Sequence, residues 1–342
     1  MTSTAASCLL FLTMKSLDEA ELCFPELLNS SCRKAMGPHS VSMLTYILLS
    51  SISLLTVTLN LVVIISISHF KQLHTPTNLL LLSLAVSDFF VGLLMFFQIV
   101  LIDGCWLLGD IMCILYIVLD YIITSASVGT MVLISVDRYV AICDPLHYPN
   151  KVTQKTVKIC VCLCWICSAF LYSLLMKDNL EQPGRYNSCF GECVFVINYF
   201  AGFAHLFLCF IGPVTVIIVL YMRVFVVAVS QARVMRSHTA AFPLKSSVSL
   251  TAKKSELKAA RTLGVVIVVF LVCLCPFYCV SLTGQDTLFN ISSATFVICL
   301  FYFNSCLNPV IYAFFYPWFR KSIKLIVTLK ILQPGSCEMN IL

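Results

Sequence analysis

Seven mostly apolar stretches, near 43–67, 77–100, 111–136, 156–176, 194–222, 260–283 and 292–315, approach or exceed the ~20 residues an α-helix needs to cross a bilayer. In hydrocarbon every backbone N–H and C=O must find its partner within the protein, so such stretches fold as helices. The remaining composition agrees: 60% of residues are hydrophobic, 11% are charged, and the mean hydropathy is +0.96. The fold class expected is an all-α membrane protein, a seven-transmembrane helix bundle. Residues 1–42 form a segment before it, 43–315 the bundle, and 316–342 a tail. Pro213, Pro276 and Pro309 fall inside three of the stretches and predict kinks. After the seventh, YPWFRKSIKLIVTLKIL sets Phe319, Ile323 and Ile326 on one face and Arg320, Lys321 and Lys324 on another, which predicts a short amphipathic helix along the membrane surface.

Lysine and arginine near span ends fix orientation, because cytoplasmic loops hold the excess. With the N-terminus outside, 17 of the 22 basic residues lie on the cytoplasmic side. The net charge of +6 is then mostly a topology signal, and nothing supports a nucleic-acid partner; membrane lipid is the expected surrounding. The longest polar connection, SQARVMRSHTAAFPLKSSVSLTAKKSELK, separates the fifth and sixth stretches. The N-terminal CLLFLTM is too short to span and lacks preceding basic residues, so it makes a poor signal peptide.

The third stretch contains LYIVLDYIITSAS, with Asp120 in its middle. A carboxylate at that depth costs roughly 2.5–3.5 kcal/mol on the translocon scale and so marks a functional site by default. At 1.5 Å and 100° per residue, Asp120 lies about 10 Å below Cys113, and Arg138 about 27 Å and five turns further on, along the same face. Ser127 falls close to that face. A polar stripe of this kind faces the bundle interior, and the spans offer almost no lysine or arginine to pair with Asp120. A cationic ligand is the partner that fits. His205 in the fifth stretch is an internal alternative if the depths match.

Cys23, Cys32, Cys113, Cys189 and Cys193 lie at or beyond the extracellular boundary, where disulfides form. Asn29 and Asn290 open glycosylation acceptor sequences on the same side. The cysteines within the spans, Cys160, Cys162, Cys164 and Cys167 among them, read as small apolar fillers.

Asp137-Arg138-Tyr139, LAVSD with Asp88, Trp165, Pro213, FLVCLCP and NPVIY, in order on successive spans, together resemble the rhodopsin-like G protein-coupled receptors over roughly residues 42–330. NSCLNPVIYAFFYPWF, SISHFKQLHTPTN, CFGEC and CFPELLNSSC are similar to the trace amine-associated receptors in particular. That resemblance implies olfactory or trace-amine detection at the plasma membrane, with signalling through a stimulatory G protein to adenylyl cyclase. It places the ligand ammonium on Asp120 beside Tyr302. Phe277, Tyr278, Tyr121 and Thr124 are expected around it, with helix packing as the competing role for the aromatics. The fifth span offers His205, Leu206 and Cys209 rather than serines or a second acid, which favours a monoamine with an apolar or aromatic body over a diamine. His205 either hydrogen-bonds that body or serves packing.

The resemblance further implies a sodium pocket of Asp88, Ser127, Asn304, Ser305 and Asn308, with water beside a protonated Asp88 as the alternative. For activation it implies release of Arg138 from Asp137 and from Glu256, with Tyr221 and Tyr312 turning inward and the sixth span pivoting at Pro276; Asn308, Pro309 and Tyr139 belong to the same motifs. Leu274 stands where most such receptors have tryptophan, a departure that bears on how ligand binding reaches the helices. A Cys113–Cys193 disulfide is implied, leaving Cys189 to pair with Cys23 or Cys32.

Rival classes fare worse. An opsin needs a Schiff-base lysine that Ile291–Phe315 lacks, and a transporter should display two related halves. A membrane enzyme needs a nucleophile, base or metal cluster, which the spans do not offer. A biogenic-amine neurotransmitter receptor is the nearest rival, and the seventh-span stretch argues against it.

Overall fold

The computed structural model describes residues 21–27, 29–34, 39–101, 104–241, 264–280 and 291–341, without strands among them. Glu256, Asn290 and CLLFLTM lie outside the described residues. The helices are α1 (His39–His69), α2 (Pro76–Val100), α3 (Gly109–Cys143), α4 (Gln154–Leu175), α5 in three consecutive segments (Tyr199–Leu206, Phe207–Ile211, Gly212–Ala241), α6 (Gly264–Val280), α7 (Ile291–Phe315) and α8 (Pro317–Val327). Six are long and apolar enough to cross a membrane, and α6 is described over a shorter apolar length.

Local chemistry sets several starts. Thr75 caps α2 by accepting from the Asn78 N–H at 3.2 Å, and Pro76 takes the first helical position, where a missing N–H costs nothing. Thr153 caps α4 through the Thr156 N–H, and Asn198 caps α5 through the Ala201 N–H at 2.8 Å. Within α5, Phe207–Ile211 forms one π turn just before Pro213, which has no N–H to give the Cys209 carbonyl. Gly212 suits that widened turn, since a Cβ there would sit 3.0 Å from the Phe207 carbonyl oxygen. The sequence-based expectation at Pro213 thus resolves into a π turn. Helix continues through Pro276 and Pro309.

Helix α3 packs on α2, α4 and α5, while Leu54, Phe170 and Phe200 face outward as lipid-facing residues do. Between α2, α3 and α4, the Trp165 indole donates to the Ser83 hydroxyl at 3.2 Å, and Ser83 meets Thr130 at 3.1 Å. Asn60 donates to the Ser305 carbonyl at 3.0 Å and ties α1 to α7. On α8, Trp318 and Phe319 are buried while Arg320, Lys321 and Lys324 are exposed, the expected amphipathic arrangement.

Three disulfides gather at one end of the bundle: Cys113–Cys193, Cys32–Cys189 and Cys23–Cys105. The open choice for Cys189 falls on Cys32. Cys23 takes Cys105, a residue the sequence reading did not single out. Its signal was arithmetic: five boundary cysteines cannot all pair, and Cys105 lies in the link between α2 and α3. The segment before α1 is laid along the loop between α4 and α5, where Cys32 N–H donates to the Phe190 carbonyl at 2.8 Å and Phe190 N–H to Ser30 at 2.7 Å. The same loop accepts from the Trp106 N–H at Gly191, whose φ of +99° suits a residue without a side chain.

Candidate ligand site

A cavity of about 230 Å3 opens among α2, α3, α5, α6 and α7 below the disulfides. Asp120, Tyr302, Tyr121, Thr124, His205, Phe277 and Tyr278 all line it, so seven of the eight residues expected around a ligand come together. Cys209 is the correction. It is buried behind the wall, its thiol 2.8 Å from the Tyr172 hydroxyl and 3.7 Å from Ser125, because the π turn and Tyr172 hold it toward α4 and α3.

Asp120 is held where α3 passes the cavity, and its buried Oδ1 has no hydrogen-bond partner among the described residues. Such orphans are rare in folded proteins, and each asks for an explanation. Around it stands an aromatic wall: Tyr121 meets His205 edge-on at 4.9 Å, Phe277 meets Phe301 at 4.7 Å, and Tyr278 stacks on Phe210 at 4.3 Å. Ring faces and a lone carboxylate make an environment suited to a cation. The cavity lies below the ~300–1,000 Å3 typical of drug-sized ligands, so a small guest fits it.

Sequence reasoning missed Gln98, Tyr116 and Phe195, which also line the cavity beside apolar Leu101, Ile117, Ile298 and Phe301. Tyr116 was within reach of it, lying one turn before Asp120 on the same face of α3; its hydroxyl donates to Gln98 Oε1 at 2.9 Å. Phe195 comes from the loop two residues past Cys193, which the Cys113–Cys193 disulfide draws over the cavity.

Deeper in the bundle, Asn308 Nδ2 donates to Asp88 Oδ2 at 2.8 Å, with the Ser305 hydroxyl close by. Asp88 Oδ1, Asn304 Oδ1 and Asn308 Oδ1 are buried without partners among the described residues. Ser127, Asn304 and Ser305 border a small cavity of about 20 Å3, enough for a single water-sized occupant, with Leu274 as another part of its wall. Unpaired carboxylate and amide oxygens are the donor set of a hard cation, so these residues fit sodium. Thr124 and Phe301 line both cavities and stand between them.

At the opposite end Asp137 and Arg138 are both buried and paired. Arg138 Nε donates to Asp137 at 2.9 Å, Thr77 to the same carboxylate at 3.0 Å, and Tyr148 to its other oxygen at 2.8 Å. Tyr139 packs beside Ile142 and Val224. The hydroxyls of Tyr221 and Tyr312 are buried and unpartnered among the described residues, and the Tyr221 ring lies against Gly264 of α6.

The family model "7 transmembrane receptor (rhodopsin family)" matches residues 59–312. Trace amine-associated receptor 13c of Danio rerio is 40% identical over 96% of this chain and 98% of its own length. Trace amine-associated receptor 8a of Rattus norvegicus is 38% identical over 94% and 96%, and trace amine-associated receptor 4 of Mus musculus 36% over 95% and 96%. The chain belongs to the trace amine-associated receptors. It is therefore a multi-pass G protein-coupled receptor of the plasma membrane and not an enzyme. As a trace amine-associated receptor it takes a small-molecule ligand and a G protein as partners.

Proposed function

We propose that the receptor detects a small monoamine, as an olfactory or trace-amine receptor, by binding its ammonium at Asp120. The observation that carries this reading is the buried, unpartnered Asp120 Oδ1 in an aromatic-walled cavity. Tyr302 borders the same space and offers the bound ammonium a hydrogen-bond acceptor. A neutral amine forfeits the ion pair, so binding follows the protonation of the ligand.

Residues 1–42 and the disulfide end face outward in this reading, 43–315 span the membrane, and 316–342, including α8, lie inside against membrane lipid. Exposed Asn29 is then available for glycosylation. Asp88, Ser127, Asn304, Ser305 and Asn308 would hold an allosteric sodium ion, which supplies positive charge to the bundle interior. Ligand binding releases Arg138 from Asp137, α6 moves about Pro276, and a stimulatory G protein raises cyclic AMP. Leu274, in the wall of the inner cavity, and the motifs containing Tyr139, Tyr221, Asn308, Pro309 and Tyr312 carry that change.

The test is cyclic AMP in cells expressing the receptor, screened with primary to tertiary monoamines and with diamines, beside Asp120→Ala and Asp120→Glu. Monoamines raise cyclic AMP in the wild type and not in Asp120→Ala at equal surface level. An equal response from Asp120→Ala would refute the counter-ion role.

A further inference from the structure

Behind the cavity wall, a run of polar side chains crosses three helices. The Tyr172 hydroxyl of α4 lies 2.6 Å from His205 Nδ1 and 2.8 Å from Cys209 Sγ, both on α5. Cys209 reaches Ser125 of α3 at 3.7 Å, and Ser168 of α4 donates to the same Ser125 hydroxyl at 3.1 Å. Tyr172 is almost fully buried and does not line the cavity, whereas His205 does. With Nδ1 engaged from behind, His205 Nε2 has no protein partner among the described residues.

We infer that Tyr172 is a positioning residue that fixes His205 toward the cavity, and that the end of the ligand remote from its ammonium carries a hydroxyl. This inference rests on the amine reading above. Among the described residues lining the cavity, Asp120 is the only carboxylate and no lysine or arginine occurs. A second ammonium on the ligand therefore meets no counter-ion, and a ligand carboxylate meets no cation. A hydroxyl both donates and accepts, so it satisfies the free imidazole nitrogen in either tautomer. Without Tyr172 the ring would have to be ordered by the ligand itself, and part of the interaction would be lost to that ordering. The Tyr121 ring, edge-on to His205 at 4.9 Å, limits the ring from the α3 side.

The experiment compares matched pairs of amines with and without a terminal hydroxyl: 4-hydroxyphenylethylamine against 2-phenylethylamine, and 5-aminopentan-1-ol against pentylamine. Potency is read as cyclic AMP at matched surface expression. In the wild type the hydroxylated member of at least one pair is about tenfold more potent, the size of one well-placed neutral hydrogen bond. In Tyr172→Phe, which leaves the cavity lining itself intact, that ratio falls to about one while the unhydroxylated amine keeps its potency, as expected when one hydrogen bond is removed; in His205→Phe the ratio likewise falls to about one. Adding Tyr172→Phe to His205→Phe changes the ratio no further, because Tyr172 acts through His205. Should Tyr172→Phe fail to reach the surface, Tyr172→Met, which also removes the hydroxyl beside His205 while filling its space, must lower the ratio instead.

A ratio near one in both wild-type pairs overturns the inference, as does a ratio preserved in Tyr172→Phe or a parallel fall in both members of a pair. Silence of the wild type toward all four amines, or a full response from Asp120→Ala in the same assay, overturns the amine reading and this inference with it.

Discussion

Two carboxylates on one helix face opposite fates. Asp137, near one end of α3, is met by Arg138, Thr77 and Tyr148 and has nothing left to bind. Asp120, five turns away along the same helix, keeps a buried oxygen without a partner among the described residues. Burying either charge is costly, and only the first cost is offset within the protein. The difference separates a carboxylate that fastens helices from one that waits for a guest. Asp88 is intermediate, with one oxygen held by Asn308 and the other open.

The contrast breaks most visibly through function. Asp120→Ala should lower amine potency by roughly two orders of magnitude or more, as expected when one partner of a desolvated charge pair is lost. Surface expression should hold, because no protein contact of its free oxygen is removed. Asp137→Asn should do the reverse: the purified, ligand-free receptor loses about 3 kcal/mol through the stranded Arg138, measured as a lowered melting temperature, while amine binding is retained. Tyr302→Phe, which removes one hydrogen-bonding group beside Asp120, should weaken amine potency about fivefold.

A smaller effect sharpens the comparison from outside the membrane. Glu192 accepts from the Ser188 N–H at 2.6 Å and from its hydroxyl at 2.7 Å, and these bonds hold its carboxyl below the ordinary 4.5. A lowered folded-state value means stability that is present above the ordinary value and lost as pH falls through the lowered one. The protection factor of the Ser188 amide, the slowing of its exchange relative to the unfolded chain at the same pH, should therefore be high at neutral pH and fall below the ordinary glutamate range. Glu192→Gln should make that protection factor nearly independent of pH.

Much of this arrangement was legible in the sequence because hydrocarbon leaves few options. Apolar length gave the helices, and the helical ruler put Asp120 and Arg138 on one interior face. Less legible was whatever depends on distance between chain segments. Cys209 seemed to face the ligand by its place in α5, yet the π turn and Tyr172 turn it away. Tyr172 reads as one more aromatic in a span until its hydroxyl is found between His205 and Cys209. Cys105 found its partner only when the segment before α1 was laid on the loop between α4 and α5. Gln98 came into view through its hydrogen bond to Tyr116, a contact between helices that periodicity does not encode.

The most direct measurement is the melting temperature of the purified receptor with and without a saturating activating monoamine, for wild type and Asp120→Asn. A ligand at about a hundred times its dissociation constant adds about 2.7 kcal/mol to the folded state, a readily measured rise. The account predicts that rise in the wild type, none in Asp120→Asn, and a ligand-free Asp120→Asn no less stable than wild type. An equal amine-induced rise in Asp120→Asn, or a clear loss of stability in its ligand-free form, would contradict the view of Asp120 as a carboxylate held open for a cation.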